Sequence, residues 1–235
     1  TSRASDEIIE QARAIMADFL NAAGPQEIVF GPNMTSLTFM LSRALVRLFH
    51  PGALLLVPRL DHDANISPGL RAAEDQGCRV RWVDFDPATG KIDLDDYRAA
   101  LAEGPRLAAF GYASNALGTV NPVEEMTRLA KQAGALVYID AVQYAPHGPI
   151  DVARLGCDFL VCSAYKFFGP HAGVLYGRDD LLDSLRAYRV RPAPADPPGK
   201  FETGAGNFEA MAGTLGAVEY FAWLGAHYAA DQLER

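Results

Sequence analysis

The chain is poor in the residues that mark several large functional classes. Its 235 residues include only three cysteines, Cys78, Cys157 and Cys162, too few and too scattered for a disulfide framework or a metal knuckle. No apolar run reaches the roughly 18 residues of a membrane span. The opening TSRASDEIIEQARAIM lacks the charged-then-apolar pattern of a secretory leader. Lysine and arginine number 21 against 29 acidic residues, for a net charge of −8. Without a basic stripe, a nucleic-acid footprint is disfavoured. Neither GxGxxG nor GxxxxGK[ST] occurs, which argues against both common nucleotide cradles. There are no internal repeats and no low-complexity tracts. The expectation is a cytoplasmic protein with no metal, membrane or nucleic-acid partner.

What is present suits a large globular unit. Hydrophobic residues make up 49% and charged residues 21%, close to the soluble average. Strand-like and helix-like stretches alternate. A helix over 4–21 precedes a strand at 27–30 and a helix from 34 to about 50. Strand 53–58 leads through RLDHDANIS to a helix near 67–77. Strand 79–85, a DPATGKID turn and the helix LDDYRAALAE follow. Strand 106–113, a loop, helix 122–134 and strand 135–140 come next, then strands 157–163 and 172–177. RDDLLDSLRAY reads as helix, RVRPAPADPPGKFETGAGN as loop, and a last helix runs from Phe208 to the end. This order predicts an α/β three-layer sandwich around a mostly parallel mixed sheet. Ligands in such folds bind beyond the carboxyl ends of the strands.

The residues following each strand therefore carry the candidate chemistry. Asn33-Met34-Thr35-Ser36 opens a helix whose free N–H groups can seat an anion, although Asn33 or Thr35 can equally be an ordinary cap. His62 follows the second strand, where it can stack on a flat ring or simply pair with Asp61 and Asp63. Asn115 follows strand 106–113, as ligand donor or as turn former. Asp140 ends a run of apolar residues, so burial of its charge calls for a cationic partner. Its plainer role is a helix cap. Gln143 lies three residues on. Lys166 follows strand 157–163, in CSAYKFFGPH. A desolvated amine is a nucleophile toward carbonyls; otherwise the side chain snorkels to solvent. Together, a lysine for a Schiff base, a carboxylate for a pyridinium nitrogen and an anion seat are the parts that pyridoxal phosphate requires.

The stretches VYIDAVQYAPHGPIDVARLGCDFLVCSAYKFFGPHAGVLYGR, EIVFGPNMTSLTF, DHDANISP, ASNALGTVNPVEEM and KFETGAGNFEAMAGTLGAVEY resemble the class V aminotransferases, which are fold-type I pyridoxal phosphate enzymes. The nearest branch is the cysteine desulfurase-like one, and the resemblance extends over nearly the whole chain. Asp140 and Lys166 stand 26 positions apart, as in that branch. The resemblance implies an aspartate aminotransferase-like large domain acting on a small amino-acid substrate. Lys166 is then the Schiff-base lysine, which also moves the substrate proton, and Asp140 is the pyridinium partner. Gln143 and Asn115 contact the ring hydroxyl side, His62 stacks on the ring, and Thr35 and Ser163 hold the phosphate. It further implies a homodimer and a sulfur-acceptor protein. An aminotransferase, an epimerase or a non-catalytic relative is consistent with the same residues.

Three positions depart from the family pattern. Met34 replaces a phosphate-binding residue, Tyr165 replaces a histidine before the lysine, and Ala205 replaces a threonine that a neighbouring subunit supplies. The resemblance also implies that residues 1–222 form the cofactor-binding domain and that 223–235 lead into a further C-terminal domain. That further domain would hold the substrate arginine and any nucleophilic cysteine. Cys78, Cys157 and Cys162 are expected to be structural, since buried thiols are inert.

Overall fold

The computed structural model describes residues 2–228. The chain runs α1 (Ser2–Leu20), β1 (Ile28–Gly31), α2 (Met34–Leu45), β2 (Leu54–Pro58), α3 (Asp63–Gln76) and β3 (Arg79–Val83). A small hairpin of β4 (Phe85–Asp86) and β5 (Lys91–Ile92) precedes α4 (Leu94–Leu101), β6 (Leu107–Gly111), α5 (Val123–Gln132) and β7 (Leu136–Asp140). Then come α6 (Val152–Leu155), β8 (Phe159–Ser163), β9 (Gly173–Gly177), α7 (Asp179–Ser184) and α8 (Phe208–Tyr228).

Seven strands form one sheet in the order β1-β9-β8-β7-β6-β2-β3. The pairs from β3 to β8 are parallel, and β9 runs antiparallel to both neighbours. β1 therefore points the same way as β8, and only β9 is reversed. Strand alternation divides the core into two layers. Leu54, Leu56, Phe110, Val137, Ile139, Leu160 and Val174 face α1, α4, α5, α6 and α8. Leu55, Leu107, Tyr138, Phe159, Val161 and Leu175 face α2, α3 and α7. This is the three-layer α/β sandwich with a mostly parallel sheet that the alternation of elements predicts.

Several boundaries moved for identifiable reasons. α3 starts at Asp63, four residues before the predicted start, because His62 Nδ1 accepts from the Ala64 N–H and caps it there. Pro68 is accommodated inside this helix. The stretch 79–85 splits after Val83, and Phe85 pairs with Ile92 in the separate hairpin instead. α7 stops at Ser184, where Leu185 turns extended and is buried. The four-residue α6 has no helical run long enough to signal it; Asp151 caps it and Gly156, in the left-handed region, closes it. α8 continues unbroken through positions 222 and 223. The helical expectation for 229–235 lies outside the described residues.

Candidate active site at the carboxyl edge of the sheet

Because β1, β2, β6, β7 and β8 run in one direction, the loops after them emerge on one edge. A cavity of about 100 Å³ opens there, lined by Met34, Thr35, Asp61, His62, Ala64, Ala113, Asn115, Asp140, Val142, Gln143, Tyr165 and Lys166. Eight of the nine residues singled out from sequence meet in it, from the loops following five different strands. A larger groove of about 880 Å³ lies next to it, lined in part by Arg43, His171, Tyr188 and the Thr203–Asn207 loop. Lys166 and Asp140 are not among its walls and line the smaller cavity instead. The rings of Tyr165 and His171 stack at 5.0 Å and join the two spaces, one ring lining each. Ala205 lies in the larger groove, apart from Lys166.

The ninth residue, Ser163, does not line the cavity. It ends β8 fully buried, and its hydroxyl has no hydrogen-bond partner. Thr127 Oγ1 on α5 is the other buried hydroxyl without a partner among the described residues. The register aligns Ser163 with Gly173 and Gly173 with Gly31. A Cβ on Gly173 would stand 2.4 Å from the Asn33 carbonyl carbon. Only glycine lets the loop before α2 lie directly on β9, and this brings the helix N-terminus beside Ser163. Asn33 is the cap, its Oδ1 accepting from Ser36 N–H at 2.8 Å. Thr35 is thereby relieved of that task and lines the cavity.

Local roles and site positions overlap at the other loops. Ser114 Oγ accepts from the N–H groups of Ala116 and Leu117 at 3.3 and 3.2 Å. The turn expected of Asn115 is thus made by its neighbour, and Asn115 remains a wall of the cavity. Asp140 Oδ1 accepts from Val142 N–H at 2.9 Å, closing a turn and no helix. His62 Nδ1 is occupied by the Ala64 N–H, so the neutral ring carries its proton on Nε2.

The electrostatics are those of acids short of partners. Asp140 is 7% exposed; burial pushes its carboxyl up to about 6, against the lowering effects of the Val142 N–H and Lys166. Lys166 itself is exposed, which matches the snorkelling alternative and not the desolvated amine. The reason is its place on a 3-10 turn, Ala164–Phe167, which carries it past the end of β8. Its Nζ stands 5.6 Å from the centroid of the Tyr165 ring, within cation–π range. Phe168, which ends the turn, is held at φ 66°, a costly conformation for a residue with a Cβ. Asp61 was read from sequence only as a neighbour of His62. It lines the cavity, and burial together with the Asp140 charge raises it to about 7. The Asp140 charge reaches it only through the tertiary fold, so no local pattern marked it.

None of the three cysteines lines the cavity. Cys157 and Cys162 are buried and their thiols are pushed up to about 12 by burial. Cys78 is half-buried before β3, at the amino edge of the sheet, and is also raised.

The class-V aminotransferase profile matches residues 1–235. The chain belongs to that family. It is 37% identical to a cysteine desulfurase of Pectobacterium atrosepticum over 92% of this chain and 56% of that protein. A cysteine desulfurase of Yersinia pseudotuberculosis is 33% identical, over 97% of this chain and 62% of that protein. Among solved structures, the apo cysteine desulfurase of Thermococcus onnurineus NA1 superimposes with a TM-score of 0.90 at 29% identity, covering 95% of this chain and 58% of that one. The cysteine desulfurase CsdA of Escherichia coli gives 0.82 at 27% identity, over 94% and 58%. The chain thus spans somewhat under two thirds of the length of these class-V relatives, and the resemblance read from its motifs is borne out at the level of family and fold.

Proposed function

We propose that this class-V family member binds pyridoxal phosphate on Lys166 and acts on an amino acid as a cysteine desulfurase-like enzyme. The observation that carries the reading is the meeting of Lys166, Asp140, His62, Gln143 and Asn115 in one cavity. Beside it are an unpaired buried hydroxyl and a helix N-terminus. The donor set fits the cofactor. Lys166 would bind its carbonyl carbon, Asp140 its ring nitrogen, and His62 a ring face. Gln143 and Asn115 would meet the ring hydroxyl side. Thr35, Ser163 and the N–H groups opening α2 would take the phosphate, with Met34 and Tyr165 as neighbouring walls. Once bound, the protonated ring supplies an electron sink for the bonds at the substrate Cα.

The chain's own residues supply the rest. Asp140 holds a proton on the ring nitrogen through a charge-assisted hydrogen bond. His62, with Nδ1 fixed by the Ala64 N–H, presents an oriented ring. Lys166 Nζ takes the proton from the substrate Cα and can return it. An acceptor-protein thiolate would take the cysteine sulfur as a persulfide while the Cβ–S bond breaks and a proton joins Cβ, leaving alanine. Cys157 and Cys162, raised to about 12, are unsuited to receive the sulfur. The same reading includes a homodimer acting in the cytoplasm.

The test is to incubate the full-length protein with cysteine, pyridoxal phosphate and an excess of a thiol reductant, and to measure alanine and released sulfide. Both are expected in wild type and neither in Lys166→Ala. Cofactor uptake without sulfur release from cysteine would overturn the desulfurase reading. No uptake would overturn the whole proposal.

A further inference from the structure

Asp61 has no part in the proposed chemistry, yet it is built into the site. Its Oδ1 accepts from the His62 N–H at 2.7 Å, and its Oδ2 accepts from Asn65 Nδ2 at 2.6 Å. A Cβ on Gly111 would stand 2.8 Å from Asp61 Oδ1, so glycine at the end of β6 makes room for this carboxylate. Gly111 is the register partner of Asp140. Asp61 therefore lies over the end of β6, next to the end of β7, and ties the His62 loop to the strand beside Asp140.

We propose that Asp61 is a positioning residue behind Asp140: it anchors the His62 loop and adds a second, proton-gated negative charge to the field on the cofactor ring nitrogen. This rests on the pyridoxal phosphate reading above. β7 presents Asp140 and the Tyr138 hydroxyl to Asp61, and Tyr138 is bonded to Thr38 Oγ1. The loop offers His62 and Asp63, and Asp63 is engaged by the Ser67 hydroxyl. β6 offers only the backbone of Gly111. The Lys166 cation favours ionisation of Asp140, while the influences on Asp61 are burial, the Asp140 charge and neutral hydrogen-bond donors. The Asp140 charge raises Asp61, and acids that interact in this way titrate as a pair. A ring cation against Asp140 offsets the like charge. The ring then binds with release of the Asp61 proton to solvent, and the second carboxylate tightens its hold as pH rises.

The experiment strips the full-length enzyme of cofactor and titrates it with pyridoxal phosphate from below pH 6 to above pH 7, following the visible absorbance. Wild type, Asp61→Asn, Asp61→Glu and Asn65→Ala are compared, with calorimetry in two buffers to count released protons. The ratio of wild-type to Asp61→Asn affinity is expected to rise about threefold to tenfold across that range, the equivalent of roughly half to one pKa unit. Asp61→Glu restores the dependence. Asn65→Ala, which removes a bond that favours the ionised form, moves it to higher pH and keeps the inference testable where Asp61→Asn does not fold. Parallel profiles and equal proton release in wild type and Asp61→Asn would overturn the role of Asp61 while leaving cofactor binding intact. A wild type that takes up no cofactor would instead overturn the proposed function on which it rests.

Discussion

Two buried carboxylates, at opposite edges of the same sheet, have opposite surroundings. Asp158 precedes β8 at the amino edge, fully buried. Both its oxygens accept from Lys131 Nζ at 2.7 Å, Arg178 donates to it at 3.0 Å, and the Val137 N–H at 2.8 Å. Asp140 ends β7 at the carboxyl edge, nearly as buried, with one backbone N–H and an amine that does not touch it. The first carboxylate is complete and joins α5, β7, β8 and the start of α7. The second is left with capacity for another partner. Asp140 keeps acceptor capacity at the edge where the candidate site residues meet. A completed ion-pair anchor stands at one end of the strands and the proposed site at the other.

Breaking the complete end should have the largest effect. Asp158→Ala leaves Lys131 and Arg178 without their partner and the Val137 N–H without an acceptor. Breaking a buried ion pair costs about 3–5 kcal/mol; with both cations partly exposed, 34% and 41%, about 3 kcal/mol is expected in urea unfolding. A cost below about 1 kcal/mol, the level of a surface pair, would dissolve the contrast.

The open end should behave in the opposite sense with pH. Asp61 and Asp140 are raised from 3.8 to about 7 and about 6. Between those values the native state binds more protons than the unfolded one. The stability they favour is full below pH 3.8 and is lost as pH rises through 6 and 7. Comparing unfolding free energies of the apo protein at about pH 5.5 and about pH 7, Asp61→Asn/Asp140→Asn should lose about 2 kcal/mol less than wild type. Equal slopes would show that the open edge carries no such strain.

A third test separates function from stability at one residue. Asp140→Asn replaces a charge-assisted bond to the ring nitrogen by a neutral one. Pyridoxal phosphate affinity at pH 7.5 to 8 should weaken by about 2 kcal/mol, roughly thirtyfold, without loss of unfolding stability. The smallest effect is expected at the anion seat. Asn33→Ala removes the α2 cap and should cost about 1 kcal/mol of stability, read as a modest shift in the thermal midpoint.

This division explains what the sequence could and could not reveal. Strand alternation and the residues after each strand were local features, so the sandwich, the sheet edge and the meeting of His62, Asn115, Asp140, Gln143 and Lys166 were readable. The Asp140-x-x-Gln143 and Ser163-x-x-Lys166 spacings made the family legible as well. Asp61 was not readable in its role, because its neighbour Asp140 and the space above Gly111 exist only once β6 and β7 pair. For Lys166 the sequence left burial and snorkelling both open, and the structure exposes it on a turn beyond the strand, where hydrophobic neighbours in sequence do not cover it. Asp158 left no trace as an anchor either, since Lys131 and Arg178 reach it from two separate segments.

The most direct test of the central claim is the covalent address of the cofactor. The full-length protein loaded with pyridoxal phosphate is reduced with borohydride, digested and mapped by mass spectrometry. The account predicts loss of the visible band and a pyridoxyl adduct on Lys166. An adduct on any other lysine, or bound cofactor that resists reduction, would contradict it.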